Sequence, residues 1–217
     1  MDRSQTIDAY CERLGPEIWA EPWNAVTNLA FLLAALIVWR RADGLVPPRV
    51  LAVLLFAIGI GSGLWHTLAI PWTGAADVLP ILLFVLTYIY FANRHYWRLS
   101  PAWATGATLL FLPYAAATVP LFSRLPGLGS SAAYAPIPLL IFGYAVALRH
   151  RLPAVARGLA AGAAILCLSI LFRSLDDPLC GQWPRGTHYL WHLLNALMLG
   201  WMAEVLRRHL AGGGGGR

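Results

Sequence analysis

His188 and His192 stand four residues apart at the start of the last apolar segment, His66 closes the second, and Asp77 follows where the third begins. Residues four apart share a helix face, so His188 and His192 can reach one ion, and Ser62 and His66 can approach one point. Ionisable side chains at membrane depth are costly and tend to mark sites. A catalytic zinc typically takes three protein ligands and leaves a position for water. Neutral imidazoles suit a low-dielectric site because they add no charge of their own. His66, His188 and His192 are therefore candidate zinc (Zn2+) ligands. Asp77 would act as general base or orient the water, and Ser62 would donate a hydrogen bond to the developing oxyanion. The competing reading is local: a lone histidine in an apolar helix is more often a hydrogen-bonded packing residue, and Ser62, between Gly61 and Gly63, could simply allow close helix contact. The convergence of His66, Asp77 and the histidine pair on one side favours a site.

The elements that must position these residues are apolar. Of 217 residues, 59% are hydrophobic and 12% charged, with a mean hydropathy of +0.61, far from a soluble globular composition. Seven apolar runs can be marked: Pro22–Trp39, Val50–Leu68, Val78–Ala92, Trp103–Val119, Tyr134–Leu148, Leu159–Phe172 and Tyr189–Leu206. The third, fifth and sixth are short against the about 20 residues of a spanning helix, and weakly polar flanks such as Gly74–Asp77 and Pro153–Arg157 can lengthen them. None alternates with the period of two that a membrane barrel requires. The expected fold is an all-α integral membrane protein, a bundle of seven transmembrane helices. Residues 1–21 form an extracytoplasmic N-terminal segment, 22–210 the membrane domain, and 211–217 a flexible glycine-rich tail.

The net charge of +6 comes with 16 basic residues, all arginine, most of them in short loops. That is topology-setting charge, and it speaks against a nucleic-acid partner; no protein partner is expected either. Arg40, Arg41, Arg49, Arg94, Arg98, Arg149, Arg151, Arg157, Arg207, Arg208 and Arg217 fall on one side, against Arg3, Arg13, Arg124, Arg173 and Arg185 on the other. The excess places the N-terminus outside and the C-terminus in the cytoplasm. His66, Asp77, His188 and His192 then share the outer level, whereas His95, His150 and His209 lie at the inner one. Met1 to Glu21 is polar, carries five acidic residues and shows no cleavable signal peptide. Composition rich in Ala, Leu and Arg without lysine fits a GC-rich bacterial genome, which suggests an inner-membrane protein with its site toward the periplasm.

The constellation Ser62-x3-His66, Asp77 and His188-x3-His192 resembles the alkaline ceramidases and their bacterial relatives, part of a superfamily of seven-helix hydrolases that includes the progestin and adipoQ receptors. Tyr10-Cys11-Glu12, Glu21-Pro22-Trp23-Asn24 and the run from Gly186 to Asn195 resemble the ceramidase branch in particular. The resemblance covers essentially the whole hydrophobic chain. It implies zinc on His66, His188 and His192, assistance from Asp77 and Ser62, and hydrolysis of the amide bond of ceramide to a sphingoid base and a fatty acid. Eukaryotic members also carry a calcium (Ca2+) site near the N-terminus. Glu12 and Glu21 match ligand positions in that pattern, but Ala9 and Leu14 stand where an aspartate and an asparagine are expected; Asp8 or Glu17 could stand in. The other reading is that Glu12 and Glu21 cap and orient the first helix. Cys11 and Cys180 both fall on the outer side, where the family gives precedent for a disulfide; two free thiols fit the sequence equally well. Cys167 reads as a small buried hydrophobe.

Arg173, Asp176 and Asp177 precede the last helix, where an ion pair among them would shape the site entrance, although Asp177, before Pro178, reads as a solvated loop residue. Asn24, Asn28 and Asn195 could orient a ligand or bridge helices. Three function classes remain: a zinc amidohydrolase acting on ceramide or a similar lipid, with ester hydrolysis indistinguishable by these residues; a lipid-binding receptor or sensor with a structural zinc, for which the cytoplasmic loops are very short; and a haem protein. Two histidines on adjacent turns of one helix would meet the same face of a haem, which counts against the third.

Overall fold

The computed structural model describes residues 6–213, and all regular structure among the described residues is helical. The chain runs α1 (Pro22–Thr27), α2 (Leu29–Arg41), α3 (Val46–Leu68), α4 (Pro71–His95), α5 (Pro101–Leu109), α6 (Phe111–Phe122), a 3-10 turn at Gly129–Ala133, α7 (Pro136–Leu148), α8 (Pro153–Leu179) and α9 (His188–Ala211). Proline opens most of these helices, at positions whose N–H groups have no partner within the helix. Three of the apolar runs are interrupted: α1 and α2 meet at Asn28, α5 and α6 at Leu110, and the 3-10 turn leads into α7. The short runs lengthen into their flanks, so that the third becomes α4 and the sixth α8.

Among the described residues, six segments are long and apolar enough to cross a membrane: Pro22–Arg41, Val46–Leu68, Pro71–His95, Pro101–Phe122, Gly129–Leu148 and Pro153–Leu179. The last helix, α9, has 24 residues, about 36 Å at 1.5 Å per residue. It stands apart in hydropathy because it carries His188, His192, Asn195 and Glu204. Those four residues are buried, since α9 packs against α2, α3 and α8 in the interior of the bundle. The outward faces of the other helices carry Leu33, Leu36, Val53, Phe56, Leu83 and Trp103 exposed. Contiguous apolar surface of that kind belongs against lipid. Cys167 is exposed on α8 rather than buried, which corrects the reading from sequence.

Small residues set the closest approaches. A Cβ built on Gly61 would meet the Ala76 carbonyl oxygen at 2.0 Å, and one on Gly158 would meet Val205 at 2.6 Å. Gly61 thus lets α3 lie against the start of α4, the contact that brings Ser62 beside Asp77.

Candidate metal centre

The end of α3, the start of α4 and the start of α9 meet at one end of the bundle. His66, His188 and His192 are buried there, and their ligand atoms lie within 4.8 Å of one another. Among the described residues they form the one cluster of histidine, cysteine or carboxylate groups able to hold an ion. His66 Nε2 and His188 Nδ1 are buried without a hydrogen-bond partner. Two unmade lone pairs in one interior cluster are costly, and an ion shared by the three rings would satisfy them. The donor set fits zinc, which takes imidazole nitrogen readily.

Two of the other ring nitrogens are held. His66 Nδ1 donates to Glu21 Oε2 at 2.6 Å, leaving Nε2 as the free lone pair. Thr27 Oγ1 already gives its proton to the Trp23 carbonyl at 2.7 Å, so it accepts from His192 Nδ1 at 2.9 Å. Both contacts fix a tautomer, as outer partners of metal-binding histidines commonly do. Asp77, in the second turn of α4, has the Ser62 hydroxyl as its neighbour, and both line a cavity that reaches His192. His95 and His209 lie at the opposite end of the bundle, where the His95 carbonyl accepts from His209 Nε2 at 3.3 Å.

The N-terminal segment crosses this end. Tyr10 stacks on His188 with ring centroids 3.9 Å apart and lies 5.0 Å from His66. Burial pushes its phenol up from the ordinary range, so it stays neutral against the imidazoles. Cys11 and Cys180 form a disulfide that ties the segment to the end of α8. Beside it, Asp176 gathers three backbone donors: Oδ2 accepts from Cys11 N at 3.1 Å, and Oδ1 from Thr187 N at 2.7 Å and His188 N at 2.9 Å. One buried carboxylate therefore caps α9, sets the height of His188 and holds the crossing segment. Gly186 makes room for it, with φ of 63° and no space for a Cβ, which would stand 2.1 Å from Asp176 Oδ1.

One expectation needs correction and a second finds no support. Arg173 makes no ion pair with Asp176 or Asp177 among the described residues. It donates to Ser130 and Ser131 and lies over the rings of Tyr134 and Trp191, while Asp177 is exposed. The calcium expectation at Glu12 and Glu21 finds no support. Glu12 accepts from the N–H groups of Trp23 and Asn24 at 2.7 and 2.8 Å and so caps α1. Glu21 is taken up by Arg13 at 2.5 Å, Asn24 at 3.1 Å and His66. Burial pushes the Glu21 carboxyl up, and the hydrogen bonds from Asn24 and Arg13 oppose that shift.

From the centre the cavity runs inward between α3, α4, α7, α8 and α9, past Phe84, Leu166 and Leu199 to Tyr88 and Met202. Its wall is apolar except for Ser62, Asp77, His192 and Asn195 near the metal end and the Tyr88 and Tyr134 hydroxyls. The stretch of α9 from His192 to Met202 along this wall is about 15 Å long. Glu21, Thr27, Arg13, Asp176 and Tyr10 were not read from sequence as partners of the histidines. Tyr10, Arg13 and Glu21 depend on how residues 6–21 fold back, Thr27 and Asp176 on how the ends of α1 and α8 pack against the histidines, and no local pattern announces either.

A family model described as Ceramidase aligns with residues 5–206 of the chain. No curated protein matches it significantly.

Proposed function

The chain belongs to the Ceramidase family, and from that membership we propose that it is a zinc-dependent hydrolase of the amide bond of ceramide or a closely similar lipid, working within the membrane. The observation that carries the reading is the joining of a three-histidine cluster to an apolar cavity through Asp77 and Ser62. His66, His188 and His192 would hold the ion. Zinc bound there supplies a Lewis acid that polarises a carbonyl and lowers the pKa of water. Asp77 accepts the proton of the attacking water and returns it to the departing amine. Ser62, beside that carboxylate, donates to the carbonyl oxygen as negative charge builds on it. The cavity takes an alkyl chain along α9, so the scissile bond rests at its polar end, and the apolar wall keeps bulk water from it.

In this reading α9 is the seventh span. Its polar residues are tolerated because they face the bundle interior. The arginine asymmetry supports an outer N-terminus, a cytoplasmic C-terminus and a metal end toward the outer leaflet, the periplasmic side in a bacterial inner membrane. A disulfide at that same end suits an oxidising compartment.

The test is zinc per chain by elemental analysis of detergent-purified protein, followed by release of sphingoid base from ceramide. About one equivalent is expected. His192→Ala should lose both metal and turnover, while Asp77→Ala should keep the metal and lose turnover. Folded protein that never met a chelator and holds no zinc would refute the reading; an active Asp77→Ala variant would remove Asp77 from the chemistry.

A further inference from the structure

Arg13 lies outside every candidate spanning helix, yet it is 4% exposed. Its guanidinium meets four acceptors. Nε donates to Glu21 Oε1 at 2.5 Å, Nη1 to the carbonyls of Gly15 at 3.1 Å and Glu17 at 3.5 Å, and Nη2 to the carbonyl of His66 at 3.3 Å. A buried charge persists only when paired and hydrogen-bonded, and this one is satisfied by a carboxylate and three carbonyls. The carboxylate is shared. Its Oε1 takes the guanidinium, while Oε2 takes Nδ1 of His66 at 2.6 Å and the Asn24 amide at 3.1 Å. Arg13 therefore grips His66 twice, at the main chain through Nη2 and at the ring through Glu21. The free nitrogen of that ring, Nε2, is the buried atom without a partner in the histidine cluster.

We infer that Arg13 is a positioning residue of the metal centre, acting through Glu21 to fix the ring plane and tautomer of His66 so that Nε2 faces the ion. This rests on the metal reading above. The planar fork matters as well as the charge: one guanidinium reaches a side chain and the backbone on either side of it, which a single ammonium cannot do. Asn24 closes the arrangement by holding Oε2 from the other side, so Glu21 has little freedom to turn away from the ring.

The test measures zinc affinity by competition with a chromophoric chelator, using the full chain in detergent. Arg13→Gln and Glu21→Gln should each weaken zinc binding about 10–100-fold, the range for loss of a partner behind a metal ligand. Because Arg13 acts through Glu21, the double variant should bind no more weakly than Glu21→Gln alone. Arg13→Lys should fall between Arg13→Gln and the parent. An Arg13→Gln protein that keeps its disulfide and thermal transition and binds zinc like the parent would overturn the inference. So would a double variant whose loss is the product of the two single losses, since Arg13 would then act independently of Glu21. If Arg13→Gln does not fold, Arg13→Lys carries the same decision: weakened affinity supports the relay and parental affinity overturns it. Failure of the metal reading looks different, because the parent itself would then bind no zinc.

Discussion

Replacing Asp176 by alanine removes the one carboxylate on which Cys11, Thr187 and His188 converge. Its three hydrogen bonds, at 3.1, 2.7 and 2.9 Å, go to backbone donors and are charge-assisted, and the residue is 5% exposed. A buried donor left unmade costs about 1–3 kcal/mol. Neighbours in one network do not add fully, so the expected loss is about 3–5 kcal/mol. For a chain of this size each kcal/mol moves the midpoint by roughly 2–4 °C, which predicts a fall of about 10 °C. Thermal unfolding in detergent, followed by tryptophan fluorescence on metal-free protein, isolates this term from any metal contribution. Asp176→Asn keeps one acceptor oxygen and should lose less. The Ala variant should also retain less zinc, because the carboxylate fixes the backbone of His188. A variant melting within about 2–4 °C of the parent, close to 1 kcal/mol, would show that water replaces the carboxylate and would refute its role as the cap of α9.

Gly61→Val should lower the unfolding temperature and turnover together, because its Cβ would stand 2.0 Å from a backbone oxygen that cannot swing aside; overpacking costs about 1–3 kcal/mol. Gly63→Ala, with nothing within 4 Å of its Cβ, is the matched control and should be silent. Cys11→Ser opens a bridge between residues 169 apart, and its removal should cost about 2–5 kcal/mol, reproduced by reducing the parent protein in the same melt. Met198→Trp narrows the cavity midway along α9 and should shift hydrolysis toward ceramides of shorter acyl chain; an unchanged chain-length profile would place the alkyl chain elsewhere.

The helical class and the membrane segments were legible because apolar runs are local in the sequence, and so was the set of polar residues that interrupts them. His66, Asp77 and the pair on α9 could be set at one level by counting spans, without any contact being known. The breaks at Asn28 and Leu110 were not read, although each has a local cause: Asn28 closes a polar cluster with Asn24 and Thr27, and Pro113 denies the Leu109 carbonyl its helical donor. The surroundings of the histidines were harder still. Glu21 matched a calcium pattern, yet it touches a ring 45 positions away, and only the fold of the N-terminal segment decides which cation it meets. Asp176 and Asp177 are neighbours of identical type with opposite fates, one buried and one exposed, because helical phase separates them by about 100°.

The histidine cluster draws one residue from α3 and two from α9, and the disulfide joins the segment before α1 to the end of α8. During synthesis His66 leaves the ribosome long before its partners exist. A chain arrested before α9 has a single imidazole of the three at this end, no cap for Asp176 to form and a cavity open along its α9 side. On the proposed function, hydrolytic competence would come only with late assembly, and an incomplete chain in the bilayer would be unable to attack the lipids around it.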